Sequence, residues 1–226
     1  MLDPAMFPIT RKWPAAHPDR VQLYSLNTPN GVKVSIMLEE TGLPYEPHLV
    51  RFDAGEQKSP EFLALNPYGK IPAIIDPNGP GGKPLALFES GAILIYLSGK
   101  CGRFLPSGTR GKYKALQWLM FQMGGVGPMF GQAHHFIRAK KDEIPYGTER
   151  YGNEAKRLYG VLNTRLQEAA FLADEYGIAD IATYPWVARH EWHRVDLAEF
   201  PAVKRWFDTI ARRPAVARGM QVPFLN

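Results

Sequence analysis

The sequence predicts an α/β domain of order β-α-β-α-β-β-α followed by an all-helical domain. Three observations predict it. Strand-like and helix-like runs alternate as far as Lys100. The last two strand-like runs of that region flank Asn78-Gly79-Pro80-Gly81-Gly82, which is hairpin turn chemistry. From Lys112 onward, apolar residues recur only at helical spacing.

Residues 21–26 are a β-prone run and read as the first strand. Thr28 is a good N-cap and Pro29 suits a first helical turn, so a helix continues through residues 34–40 and stops at Gly42. YEPHLVRF, residues 45–52, is the second strand. Residues 59–67 hold a short helix, with Ser59 as cap, Pro60 at the first position and Asn66-Pro67 ending it. IPAIID (71–76) and PLALF (84–88) are the third and fourth strands, and residues 89–100 form a helix with Ser90 at its start. A strand–helix–strand unit pairs its strands in parallel, and a hairpin pairs them antiparallel. This is the element order of a thioredoxin-like domain. The second region reads as helices over residues 112–139, 148–174, 178–192 and 201–214, with Leu158, Leu162 and Leu166 on one face and a weak point at Gly124–Pro128. The expected organisation is an irregular N-terminal arm (1–20), the thioredoxin-like domain (21–100), a linker (101–110) and a helical domain (111–226).

Composition excludes several classes. The formal charge of +5 is scattered, and its densest run, RAKKDE, is followed at once by acids. It reads as a mildly basic soluble surface or a preference for an anionic small molecule, not as a nucleic-acid site. No run approaches the ~20 apolar residues that span a bilayer. The N-terminus lacks the apolar core of a secretory signal. A single cysteine, Cys101, rules out an internal disulfide and a Cys-x-x-Cys site, and fits a reducing, cytoplasmic setting. Cys101 itself reads as a linker thiol without a site role. His134 and His135 are adjacent, point to different helix faces and have no acid or cysteine at metal spacing, so no metal is expected.

Three short stretches carry chemistry. In a thioredoxin-like domain, the first strand–helix junction is where a redox cysteine pair would sit; here it reads Thr28-Pro29-Asn30-Gly31. A helix N-terminus favours an anion, and Thr28 and Asn30 add hydrogen-bond donors; the same residues also make an ordinary cap. Ile71-Pro72 opens the third strand. It is either a simple strand-initiating proline or a cis bond that turns the backbone toward a peptide-like ligand. Glu89-Ser90 precedes a helix, where Glu89 suits an ammonium and Ser90 a carboxylate, although Ser90 also serves as a cap. Taken together, the three suit an anion, a peptide backbone and an α-amino-acid head, in that order. Glutathione has those parts in that order.

With NPYGKIPAI, FESGAILIYL and the helical domain behind them, the sequence resembles a glutathione transferase over about residues 21–215. TPNGVKV, GEQKSPEFL, GGVGPMFGQAHHF, IPYGTERY and ADIATYPWV make it similar to the bacterial nu-class, whose activity is largely glutathione-dependent disulfide reduction. The resemblance implies roles for named positions. Thr28 and Asn30 would bond the glutathione sulfur, and Gln57 would contact glutathione. Lys70 and Ile71, before a cis-Pro72, would hold the glycyl end and the cysteinyl backbone. Glu89 and Ser90 would hold the γ-glutamyl head. Arg150 would reach the ligand from a neighbouring subunit, which implies a homodimer. One or two glutathiones, or glutathione disulfide, are the expected ligands, and a small disulfide or electrophile the co-substrate.

There are departures. Tyr68 stands where a small polar residue is commoner, at the mouth of the expected site. Gly177 stands where a Ser or Thr cap usually faces Asp180, so half of a reciprocal box is missing. Asp180 itself reads as a helix-start residue. The expected chemistry puts the thiol on the ligand. Alternatives are conjugation of glutathione to small electrophiles with weak peroxidase activity, and a non-catalytic interaction protein that reuses the fold.

Overall fold

The structure, a computed structural model, describes residues 2–140 and 143–223. Strand β1 (Val21–Ser25) is buried along its whole length, with Leu23 and Tyr24 fully enclosed. It is central because it pairs on both sides: parallel to β2 (Tyr45–Leu49) and antiparallel to β3 (Ala73–Asp76). β4 (Leu85–Phe88) pairs antiparallel with β3, giving the sheet order β2-β1-β3-β4. The expected α/β topology is therefore found. The buried Gln22 of β1 is satisfied: it donates through Nε2 to the His17 and Arg20 carbonyls at 2.9 and 2.8 Å, and its Oε1 faces His48 Nε2 at 2.8 Å.

Helix α2 (Gly31–Thr41) is buried from Gly31 to Leu38, which a helix facing solvent on one side would not be. It packs against α4 (Ser90–Cys101) and against α10 (Pro214–Gly219). Gly42 ends it in the left-handed region, φ 73°, and returns its N–H to the Leu38 carbonyl. In the short α3 (Pro60–Leu65), Ser59 Oγ accepts the Phe62 N–H at 3.3 Å, the cap read from the sequence.

Three details differ from the expectation. The N-terminal arm is not wholly irregular: it holds a single turn, α1 (Ile9–Lys12). Leu2 and Ile9 are buried in one core cluster with Tyr24, Val50 and Phe62. Trp13 donates to the Leu49 carbonyl, and the Ala16 and His17 N–H groups both donate to the Glu46 carboxylate. Apolar side chains in the arm thus extend the core, and α1 packs on α3.

The second difference concerns the chain end. The described residues of Met1–Cys101 and Pro214–Asn226 form one compact unit, and those of Gly102–Arg213 the other. Residues 214–223, read from the sequence as the end of the helical domain, belong with the first unit. Ser35 Oγ donates to the Gly219 carbonyl at 2.6 Å, Asn27 Nδ2 to the Met220 carbonyl at 2.8 Å, and Arg218 pairs with Glu39 at 2.6 Å. The third difference is that Cys101 closes α4 instead of lying in a linker.

The second unit contains α5 (Thr109–Phe121), α6 (Gly127–Ala133), α7 (Pro145–Glu168), α8 (Ile178–Val187) and α9 (Pro201–Ala211). The glycine-rich weak point becomes a π turn over Gln122–Val126 between α5 and α6, and a second π turn covers His134–Ala139. α7 buries Leu158, Leu162 and Leu166 at helical spacing and packs on α9. Among the described residues, no helix is long and apolar enough to cross a membrane.

Candidate functional site

The strand registers decide where the three candidate stretches lie. Tyr24 of β1 pairs with Ala73 of β3, and Ala73 pairs with Phe88 of β4. The end of β1, the start of β3 and the end of β4 therefore share one edge of the sheet. The loop Thr28–Asn30, Pro72 and the Glu89-Ser90 pair follow or precede those three points directly. Adjacent strands are about 4.8 Å apart, so the edge from β1 to β4 spans roughly 10 Å. An extended tripeptide is also about 10 Å long.

At the β1 end, α2 begins at Gly31, later than the sequence suggests, but Thr28 does its capping. Thr28 Oγ1 accepts the Gly31 N–H at 3.1 Å, and the Thr28 carbonyl accepts the Val32 N–H at 3.0 Å. Since the hydroxyl oxygen accepts from Gly31, its hydrogen is left as a donor. Thr28 and Asn30 are both half-buried. Gly31 is required by close approach: a Cβ there would lie 1.9 Å from the Leu26 carbonyl oxygen and 2.6 Å from Ser25 Oγ. Gly31→Ala is expected to push the helix start off the strand. The cost is about 1–3 kcal/mol in a urea melt.

In the middle, the Ile71-Pro72 bond is cis and both residues are buried. Asn66 Nδ2 donates to the Lys70 carbonyl at 2.6 Å and holds the turn that precedes them. Gln57 lies against the same turn: its carbonyl oxygen is 3.1 Å from where a Gly69 Cβ would be. Gln57 Oε1 is buried without a hydrogen-bond partner among the described residues. Tyr68 is 62% exposed, and the Lys70 ammonium sits 5.9 Å from its ring centre. The ring therefore stands at the rim without filling the edge.

At the β4 end, Glu89 is exposed and adopts φ 70°, a conformation that costs a non-glycine residue about 1–3 kcal/mol. Ser90 starts α4 and is buried. Its Oγ accepts a hydrogen bond from Lys33 Nζ at 3.3 Å. Lys33 is 1% exposed, and burial pulls its ammonium pKa down to about 7, with the Glu89 carboxylate acting in the opposite direction. Lys33 is not among the residues that the sequence motifs single out. Its signal was present: a lone lysine inside the apolar run GVKVSIML.

Arg150 belongs to the other unit. It is exposed on α7 and borders a cavity of about 410 Å³ with Met129, Tyr151, Asn153, Glu154 and Arg157. His134 stacks on His193, with ring centres 4.5 Å apart and planes 6° from parallel, and on Trp186 at 5.7 Å. Burial, then the Arg189 and Arg138 charges, lower its pKa to about 4. Among the described residues, no group of three or more His, Cys, Asp or Glu side chains could hold a metal.

Residues 20–99 match the glutathione S-transferase N-terminal domain family, and residues 129–214 match the C-terminal domain family. The disulfide-bond oxidoreductase YfcG of Escherichia coli is 50% identical over 202 residues, covering 88% of this chain and 94% of that protein. The disulfide-bond oxidoreductase YghU of the same organism is 42% identical over 224 residues, covering 93% and 76%. A glutathione transferase from Burkholderia graminis, solved with two glutathione molecules per subunit, superposes with a TM-score of 0.94. It is 58% identical and covers 100% of this chain and 98% of its own. One from Pseudomonas putida, solved with one glutathione disulfide per subunit, has a TM-score of 0.93 at 55% identity, covering 97% and 98%.

Proposed function

The chain belongs to the glutathione S-transferase family, and we propose that it acts as a glutathione-dependent disulfide-bond oxidoreductase of the nu-class kind. The observation that carries this reading is the sheet edge. It brings a thiol-free helix start, the cis-Pro72 turn and the Glu89-Ser90 pair into a line of tripeptide length. The activity named for YfcG and YghU, and the ligands in the two bacterial structures, support it.

Bound glutathione supplies the thiol, and two glutathiones reduce one disulfide to two thiols while becoming glutathione disulfide. The protein's part is to bind, orient and lower the thiol pKa. Thr28 donates its hydroxyl hydrogen to the sulfur, with Asn30 and the start of α2 beside it. The backbone before Pro72, with Lys70 and Ile71, holds the cysteinyl and glycyl part. The orphaned Gln57 Oε1 accepts an N–H of the ligand. Glu89 takes the ammonium of the γ-glutamyl head, and Ser90 its carboxylate. No side-chain base is needed. The proposed assembly is a cytoplasmic homodimer in which Arg150 of one subunit reaches the ligand held by the other. The exposure of Arg150 is consistent with that role.

The test is turnover of hydroxyethyl disulfide with glutathione and a coupled reductase, run beside conjugation of a model aryl halide. The expected result is strong disulfide reduction and feeble conjugation. The reverse result would move the protein to the conjugating transferases.

A further inference from the structure

We propose that the helical unit carries a binding site for a small-molecule carboxylate, in which the guanidinium of Arg138, stacked on Trp192, takes the two oxygens beside the buried imidazole pair His134–His193. The site uses no residue of the glutathione reading above and goes beyond it.

Two segments of one compact unit build the cluster. The π turn His134–Ala139 carries His134 and Arg138, and the turn that follows α8 carries Arg189, Trp192 and His193. Trp192, half-buried, joins them. The Arg138 guanidinium lies 3.9 Å from its ring centre, the Arg189 guanidinium 5.1 Å, and the His134 ring meets it edge-on at 4.9 Å. His134 in turn stacks on His193. The ring holds the Arg138 guanidinium in place by its flat face, so the N–H groups, which lie in the guanidinium plane, point past the ring.

What the cluster lacks is an acceptor. Arg138 is exposed and makes no ion pair or hydrogen bond among the described residues, and neither does the side chain of Glu191, the acid on the same turn as Trp192. The charges that act on His134 are Arg189 and Arg138. His193 is 2% exposed, and its Nε2 has no partner among the described residues; nor has His134 Nε2. The buried Tyr159 hydroxyl meets His193 Nδ1 at 3.0 Å. With the hydroxyl donating, the unmet group on His193 is the Nε2–H alone. The opposite arrangement strands both the tyrosine hydrogen and the Nε2 lone pair, so His193 presents a buried donor. An arginine on a tryptophan also serves packing. Packing does not account for a second guanidinium on the same ring, where the Arg138 charge, after burial, lowers the Arg189 pKa. It does not account for the stranded imidazole donor either. An anion answers both, and the two parallel N–H groups of one arginine fork are used completely by the two oxygens of a carboxylate.

The experiment titrates ¹⁵N-labelled full-length protein with three probes. Dithiodipropionate is a disulfide with a carboxylate at each end, adipate has the carboxylates without the disulfide, and hydroxyethyl disulfide has no charge. The Trp192 indole signal, assigned with Trp192→Phe, reports the site. Both acids are expected to move it saturably and hydroxyethyl disulfide to leave it in place. Arg138→Gln, a change at an exposed position, should weaken the acids by about tenfold or more, as for loss of hydrogen bonds to a charged group. Arg138→Lys keeps the charge without the fork and should recover only part of that loss. An equal response to acidic and neutral probes, wild-type affinity in Arg138→Gln, or tighter binding of inorganic phosphate than of either acid overturns the proposal.

Kinetics then separate the two sources of a carboxylate. The ratio of kcat/KM for dithiodipropionate to that for hydroxyethyl disulfide, with glutathione as reductant, falls about tenfold in Arg138→Gln when the carboxylate belongs to the co-substrate. A steady ratio beside Arg138-dependent binding of adipate supports a separate carboxylate ligand at the same site. This arm alone rests on the glutathione reading. A protein that turns over neither disulfide sinks that reading, while the binding titration still decides the site.

Discussion

Thr28→Ala is expected to lower kcat/KM for disulfide reduction by about a hundredfold, the scale seen when one donor to a developing anion is removed. An ordinary thiol titrates near ~8.5, and bringing it two units lower requires about 2.7 kcal/mol. A helix N-terminus supplies roughly 0.3–1 kcal/mol, and one hydrogen bond to the charged sulfur about 1.5–3 kcal/mol. On the proposed mechanism the Thr28 hydroxyl is therefore the largest single contributor, and its geometry suits the task. Its oxygen is engaged by the Gly31 N–H, which leaves its hydrogen as the donor. Losing it should move the acid limb of the pH–rate profile upward by about one to two units. The rate deficit is then greatest at low pH and shrinks as the solution itself deprotonates the thiol. The same substitution removes a cap, at a cost of about 0.5–2 kcal/mol, so circular dichroism and a melt should accompany the kinetics. Thr28→Ser keeps the hydroxyl and should keep most of the rate. An unchanged pH profile in Thr28→Ala would remove Thr28 from the sulfur.

Asp180→Ala should be the most destabilising single change outside the site, by about 3–5 kcal/mol. Asp180 is fully buried, and its two oxygens gather three donors. Oδ1 accepts the Leu172 N–H at 3.0 Å and the Trp206 Nε1–H at 2.7 Å, and Oδ2 accepts the Gly177 N–H at 3.1 Å. Burial pushes its carboxyl pKa up to about 6, while these donors pull it down. Alanine would leave all three donors buried without an acceptor, each costing about 1–3 kcal/mol before any relaxation. A fall in Tm on the order of 10 °C is expected by calorimetry. Asp180→Asn keeps an acceptor oxygen and should cost less than half as much. A Tm within a degree or two of wild type for Asp180→Ala would mean that the three donors are met in another way. Gly177, which the sequence presents as the missing half of a capping box, also has a reason here. A Cβ on it would lie 2.5 Å from the Phe104 carbonyl oxygen, and that carbonyl accepts the Ile178 N–H at 2.9 Å. The serine or threonine that would complete the box has no room.

The element order was legible because its signals are local. Gly42 stops α2 and Ser59 caps α3 through bonds to residues three or four positions away. Interactions of that range are written in neighbouring letters. Thr28, Asn30, Pro72, Glu89 and Ser90 stand in three stretches whose residue types suit an anion, a peptide backbone and an amino-acid head, whereas Gln57, Lys70 and Ile71 were named only through the family resemblance. The start of α2 was read early because proline at position 29 permits a helical turn without requiring one.

By itself, then, the sequence determined the β-α-β-α-β-β-α order and the helical second region, and it held the three stretches on which the proposed thiol-free site rests. Only the tertiary structure decided that the Ile71-Pro72 bond is cis, that residues 214–223 close on α2, and that the N-terminal arm supplies Leu2 and Ile9 to the core. It alone put Lys33 beside Ser90, 57 residues away, and Asn27 beside Met220, 193 residues away. The physical reason is range. Caps, turns and helical period act over a few residues, whereas burial of a charge depends on which distant surfaces close over it, and no short stretch of sequence carries that information.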